Sequence, residues 1–301
     1  MLNGIIVINK EPGFTSHDVV AKMRGICGQR KIGHTGTLDP AAEGVLPVCL
    51  GTATKLCDLL ADRDKEYVAE LLLGVETDTQ DTTGHVLRES PVNVSPEQVR
   101  ECAASFVGGI MQVPPMYSAL KVNGKKLYEL AREGREVERR ARPVTIHELE
   151  VLEVRLPVAV LRVVCSKGTY IRTLCADIGE RLGCGGTMQS LRRTRVGSFN
   201  LSGAITLGGL QGLKDEQRLG EAVKPVDSVF AGCPALHVHG DYTGRLDNGN
   251  AFFPGQSCEN VVYEPERWVR VYRHDGSFAG IYAYAPEKKW YRPVKMVLEK
   301  E

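Results

Sequence analysis

Gly-His-Thr-Gly-Thr-Leu-Asp-Pro-Ala-Ala-Glu-Gly-Val-Leu-Pro, residues 33–47, presents one carboxylate, Asp39, in a glycine-rich loop with Pro40 behind it. Gly33, Gly36 and Gly44 free the backbone to take positive φ or to let another chain come close. Pro40 holds its own φ and pushes Asp39 towards an extended conformation. No second acid shares the loop before Glu43. A carboxylate presented in this way serves as a nucleophile or a base, with backbone pressed against a bulky substrate. As an ordinary turn, Asp39 would only cap a helix. The loop alone leaves both readings open.

Working outward, residues 5–8 form an apolar strand, and Thr15 or Ser16 caps a helix whose Val19, Val20, Met23, Ile26 and Cys27 follow a helical spacing up to Gly28. Beyond the loop come an apolar run at 46–50, a helical stretch at 53–60 and a strand at 67–73. The polar segment 77–84 reads as a hairpin loop. It lacks the alternating acids and distal glutamate of a calcium loop, and its Asp-Thr-Thr-Gly has no second copy to complete an aspartic-protease pair. Ser95-Pro96-Glu97 opens a helix running to about 106. Residues 112–142 interrupt the strand-rich pattern as an insertion would, with a short helix at 127–132. Two strands at 144–154 and 158–165 and a helix at 173–182 follow. Past 230 the pattern changes to short strands at 235–238, 268–273 and 279–284 with Gly, Pro and Asn turns, which places a boundary near Gly232. The expected fold class is α+β, with a mixed, largely antiparallel sheet in domain 1–231 and a small second domain in 232–301.

A length of 301 residues, 43% hydrophobic and 25% charged, suits a soluble two-domain protein. No apolar run approaches the ~20 residues of a membrane span, and the N-terminus reads as a strand rather than a leader, so a cytoplasmic protein is expected. Nine scattered cysteines form no Cys-x-x-Cys pair, which argues against a disulfide framework or structural zinc and for reduced, mostly core thiols. His237 and His239 share a strand face, read as a surface pair. No metal or cofactor is expected. The net charge of +1 conceals asymmetry: 112–142 carries +4 and 162–195 carries +5, leaving −8 for the rest. A basic surface facing a polyanion and a set of solvated helix faces both satisfy that distribution.

Together with the following Gly51-Thr52-Ala53-Thr54-Lys55, the aspartate block resembles the active-site signature of the TruB-type tRNA pseudouridine-55 synthases. The resemblance continues through Lys65-Glu66-Tyr67, through 165–173 (Cys-Ser-Lys-Gly-Thr-Tyr-Ile-Arg-Thr) and through Leu191-Arg192-Arg193, over roughly the first 230 residues. It implies that Asp39 is the essential catalytic residue and that Tyr67 stacks on the target base. Arg172 pairs with the aspartate, holding it in position and keeping it ionised by lowering its pKa. Tyr170 lines the same pocket, Leu191 closes over the uracil, and His34 positions substrate at the flipped-base region rather than moving protons. Residues 115–121 and 124–128, with Lys121, Lys125 and Lys126, look like the family's RNA-gripping insertion. Lys10-Glu11-Pro12-Gly13 departs from the family's usual Lys-Pro-x-Gly, which leaves Lys10 without a clear role. The last 70 or so residues resemble a PUA-like β-barrel that would contact the acceptor arm.

The implied activity is cofactor-free isomerisation of uridine 55 in the tRNA T-loop, with tRNA as partner and no membrane or obligate protein partner. A tRNA-binding chaperone, a glycosidase-like hydrolase and an RNA-guided synthase are the competing classes. The Asp39, Tyr67 and Arg172 set argues against the first, and the absence of a paired acid at recognisable spacing argues against the second. The long insertion favours a stand-alone enzyme over the third.

Overall fold

Strand β1 (Gly4–Lys10) opens the chain as a buried run of Ile and Val, in a computed structural model that describes residues 1–122 and 124–298. Thr15 caps α1 (Ser16–Cys27). Its hydroxyl accepts from the Asp18 amide while the Asp18 carboxylate accepts from the Thr15 amide, and Gly28 ends the helix in the left-handed region. Strand β2 (Ile32–His34) leads into the aspartate loop and β3 (Glu43–Leu50) leaves it. A 3-10 turn, Gly51–Leu56, and α2 (Cys57–Ala61) precede β4 (Lys65–Leu73), whose strict alternation buries Tyr67, Ala69, Leu71 and Leu73 on one face. Strands β5 (Val75–Thr77) and β6 (Val86–Glu89) form the hairpin expected around 77–84. Helix α3 (Pro96–Ala104) is capped by Ser95, with Pro96 where a missing N–H costs nothing.

After β7 (Gly108–Gln112) the insertion folds as a small hairpin, β8 (Lys121–Val122) with β9 (Lys125–Lys126), and the short helix α4 (Leu127–Arg132), which buries Leu127 and Leu130. Strands β10 (Arg142–Arg155) and β11 (Val158–Cys165), helix α5 (Ile171–Arg181), β12 (Gly186–Val196), β13 (Phe199–Asn200) and α6 (Leu207–Asp215) complete this part. Strands β12 and β13 and helix α6 were not anticipated from sequence. The sheet runs β1-β3-β12-β4-β11-β10-β7, with β2 attached to β3 and β13 to β12. Every pairing is antiparallel except β12 with β3.

The division of labour on β3 creates the site. Strand β1 occupies one edge, from Gly4↔Leu50 to Lys10↔Gly44. The other edge is shared: β12 pairs at Glu43 and Gly44, and β2 pairs at Val48, Cys49 and Leu50. The aspartate loop joins β2 to β3 at the point where β3 changes partner.

The C-terminal part forms a second sheet of β14 (Ala235–His237), β15 (Trp268–Tyr272), β16 (Phe278–Ala285) and β17 (Trp290–Met296), with α7 (Thr243–Asp247) between its first two strands. The expected barrel is not closed among the described residues. Its edges approach one another only through single bridges, Val238↔Ser257 and Phe252↔Tyr291. The connecting segment turns through Pro254–Gln256, where Pro254 lacks a ladder donor, so no continuous strand seals the gap. Ile281 and Val297 of this part pack in one apolar cluster with Ile5, Val7 and Val45 of the first sheet. All nine cysteines are free, but only Cys49, Cys165, Cys175 and Cys184 are buried, fewer than the core role expected of them.

Candidate active site

Asp39 caps no helix. Its carbonyl accepts from the Ala42 amide at 3.1 Å, closing a tight turn with Pro40 in the position whose φ proline already satisfies. The turn is tied down from three sides. Ser16, at the start of α1, accepts from the Leu38 amide at 2.9 Å. Lys10, fully buried at the end of β1, donates to the carbonyls of Glu11, Phe14 and Pro40 at 3.0, 2.8 and 3.1 Å. Arg193, fully buried on β12, donates to Val45 (2.7 Å), Thr37 (3.3 Å) and Gly36 (3.4 Å). Two buried cations therefore hold the loop by its backbone oxygens, which need donors once water is excluded. Neither role was read from sequence: Lys10 sits in the departure from the family motif, and Arg193 in a motif quoted for its leucine.

Arg172 extends from the first turn of α5 across to the loop. Its Nε lies 3.0 Å from Asp39 Oδ2 and its Nη2 donates to Oδ1 at 3.3 Å, a two-pronged contact. The remaining donors reach the Tyr117 carbonyl of the insertion (2.8 Å) and the Thr79 carbonyl of the β5–β6 loop (3.1 Å). Asp81 Oδ2 stands 3.8 Å from Nη1. Its other oxygen accepts from Thr79 Oγ1 at 2.7 Å and the Thr83 amide at 3.0 Å, so the hairpin's own turn fixes its orientation. The sequence offered no partner acid for Asp39; the fold brings one, on a hairpin 42 positions away. The two carboxylates share one guanidinium.

Burial is the largest influence on Asp39 and raises its pKa above the ordinary value; Arg172 opposes it, and the Asp81 charge adds to the rise. Arg172 pulls the Asp39 pKa down, and burial outweighs that pull. Burial lowers Lys10 to about 8, partly offset by Asp39. Burial, then the neighbouring His17 and Arg193, lower His34 to about 4, so it is neutral at pH 7. Its Nδ1 accepts from the Gly36 amide at 3.3 Å.

Tyr67 on β4 is buried in one apolar cluster with Leu38 and Leu191, opposite Arg193 in the β4–β12 register. Burial raises the Tyr67 and Tyr170 phenols, and the Asp39 charge pushes both the same way. Tyr170 immediately precedes α5, and the buried Gln112 clasps its backbone, donating to its carbonyl at 3.0 Å and accepting from its amide at 2.8 Å. Asp39, Tyr67, Tyr170, Arg172 and Leu191 thus come together from four separate stretches of chain, with His34 at the loop's entrance. Lys121, Lys125 and Lys126 stand apart on the β8–β9 hairpin, where Lys125 pairs with Glu133 at 3.3 Å and Lys126 donates to the Tyr128 hydroxyl at 3.2 Å. Among the described residues no group of three His, Cys, Asp or Glu is arranged to hold a metal ion.

Comparison with known proteins matches residues 24–171 to "TruB family pseudouridylate synthase (N terminal domain)" and residues 172–231 to "tRNA pseudouridylate synthase B C-terminal domain". The chain is 44% identical over all of its length to the tRNA pseudouridine synthase B of Alkaliphilus oremlandii, covering all of that protein. It is 49% identical over 99% of its length to that of Lachnoclostridium phytofermentans, again covering the whole relative. A solved Cbf5-Nop10-Gar1 complex contains a chain that superposes with a TM-score of 0.74 at 27% identity, over 98% of this chain and 85% of that one.

Proposed function

Because the chain belongs to the TruB family of pseudouridylate synthases, we propose that it isomerises uridine 55 in the T-loop of tRNA to pseudouridine. The observation that carries the reading is the two-pronged contact between Arg172 and Asp39, at 3.0 and 3.3 Å, in a loop anchored by buried Lys10 and Arg193. Such a carboxylate is presented to substrate without freedom to swing away, which is what reaction at a single ribose carbon requires. The C1′–N1 bond breaks, the uracil turns, and C1′–C5 forms while the C5 proton passes to solvent and N1 takes one up. Asp39 acts at C1′ by direct attack or by removing the C2′ proton, and both routes are compatible with its position.

The target base must leave its stack, at a cost of a few kcal/mol. Tyr67, Tyr170 and Leu191 offer the flat and apolar surfaces that offset this cost, and neutral His34 positions the opened loop. Residues 112–142, with Lys121, Lys125 and Lys126, grip the RNA. The contact of the Tyr117 carbonyl with Arg172 supports a link between that grip and the aspartate. We divide the chain into a catalytic domain, 1–231, and a PUA-like RNA-binding domain, 232–301, which meets the acceptor arm. Trp290 flanked by Phe253 and Lys288 supports that role. A stand-alone cytoplasmic enzyme fits the full-length likeness to the tRNA pseudouridine synthases.

The test uses tRNA tritiated at uridine C5, incubated with the pure protein and no added cofactor. One tritium released per tRNA, mapped to the T-loop and lost in Asp39→Asn, is expected. Asp39→Asn should still bind tRNA; a folded variant that does not bind would show Asp39 to be a binding group. Free uracil in the products would indicate the hydrolase, and binding without release the chaperone.

A further inference from the structure

A groove of about 420 Å³ runs between α1, β2 and the 3-10 turn Gly51–Leu56, with His34 in its lining. Arg24, Arg30 and Lys31 stand around it, and neither Asp nor Glu lines it. All three cations are exposed, and none makes an ion pair among the described residues. Arg24 donates its Nε to the Arg30 carbonyl at 3.2 Å, which joins the two rims and leaves its terminal nitrogens without a partner among the described residues. A basic residue in the last turn of α1 also complements the helix end, which accounts for one of these charges and not for three. His17 meets His34 edge-on, ring centres 5.2 Å apart, and His34 is neutral at pH 7. The result is an open, unneutralised basic channel of a size that suits a nucleotide, built from neither of the basic stretches noted in the sequence.

We propose that this groove binds the sugar–phosphate backbone of the RNA segment flanking the target nucleotide. The inference rests on the reading of the protein as a tRNA-modifying enzyme and adds a second RNA contact to it. Charge complementarity selects a polyanion, and the lack of lining carboxylates removes what would repel one. The position selects the segment. His34 lines the groove and begins the loop that holds Asp39, five residues on, so the two sites are separated by at most about 18 Å of extended chain. An RNA strand whose target base lies at Asp39 therefore passes the groove within a few nucleotides. Phosphate contacts there fix register while the base is drawn out.

The test measures binding of a T-arm hairpin by the full-length protein over a range of salt concentrations. In Arg30→Glu/Lys31→Glu the Kd should rise at least about tenfold, and the slope of log Kd against log salt should fall by about 2. At saturating RNA, kcat should stay within about twofold of wild type, which also shows that the variant is folded. A Kd and slope equal to wild type overturn the proposal. If the double variant misfolds, the wild type carries the test. Cys57 lines the same groove, and its alkylation by N-ethylmaleimide, read by peptide mass, should slow when the hairpin is bound; an unchanged rate overturns the proposal. Tritium release by the wild type is scored separately. Its absence counts against the isomerase, whereas release with unaltered hairpin binding in the variant counts against the groove alone.

Discussion

A Cβ on Gly44 would lie 2.2 Å from the carbonyl oxygen of Arg193, and Gly44 itself sits at φ +107°. The two residues are partners in the parallel pairing of β3 with β12. Bare backbone at position 44 is what lets β12 approach closely enough for the Arg193 guanidinium to reach Val45, Thr37 and Gly36. Gly44→Ala should therefore lose about 3 kcal/mol or more in urea unfolding, since both the strand contact and the backbone conformation oppose it. A loss below about 1 kcal/mol would show that the strands separate freely.

Arg193→Met keeps most of the side-chain volume and removes the donors to three carbonyls. The expected result is a kcat at least about tenfold lower with tRNA affinity within about threefold. An equal loss in both would place Arg193 in RNA binding instead of loop anchoring.

Lysine at position 172 keeps the charge without the fork. Arg172→Lys should slow the single-turnover rate by about 100-fold while Kd for tRNA moves less than about threefold. Asp81→Asn, which touches only one prong of the same guanidinium, should cost less, on the order of tenfold. An unchanged single-turnover rate in Arg172→Lys would remove the pairing from the mechanism.

Burial raises Asp39 above the ordinary carboxylate value of 3.8. Ionised Asp39 is present above its native pKa and lost below it, so the acid limb of the kcat/KM profile should break above 3.8 with unit slope. His34, lowered to about 4, should add no break between about pH 5 and 8. The stability linkage has the sign of a raised acid. Native Asp39 binds its proton more tightly than the unfolded chain does, so its contribution is full below the unfolded pKa and declines as pH rises through the native one. Asp39→Asn should flatten that part of the curve in urea titrations across pH.

Much of the fold up to about residue 230 was legible because its signals are local. The Thr15–Asp18 cap, Gly28 and the apolar spacing between them mark α1, and the alternation from Lys65 to Leu73 marks β4. Strand β12 escaped notice because Gln189, Ser190, Arg192, Arg193 and Arg195 give it the look of a solvated segment, although it lies between β3 and β4. Arg193 is polar in the sequence and interior in the fold because loop carbonyls supply its partners. Asp81 was hidden for the same kind of reason, since its place depends on a hairpin meeting α5. The C-terminal strands 235–238, 268–273 and 279–284 were visible in outline, but short strands do not reveal whether sheet edges join, and β17 was missed.

The sequence by itself determined the shape of the reactive loop. Pro40 and the glycines act on bonds next to their own, so the turn from Asp39 to Ala42 follows from its immediate neighbours. Tertiary structure alone decided what the carboxylate experiences. Arg172 lies 133 residues along the chain, Arg193 and Asp81 arrive on other elements, and the net rise in the Asp39 pKa is set by burial that no neighbour in sequence provides. Backbone preference is short-ranged, whereas desolvation and ion pairing depend on whatever the fold brings within a few ångströms.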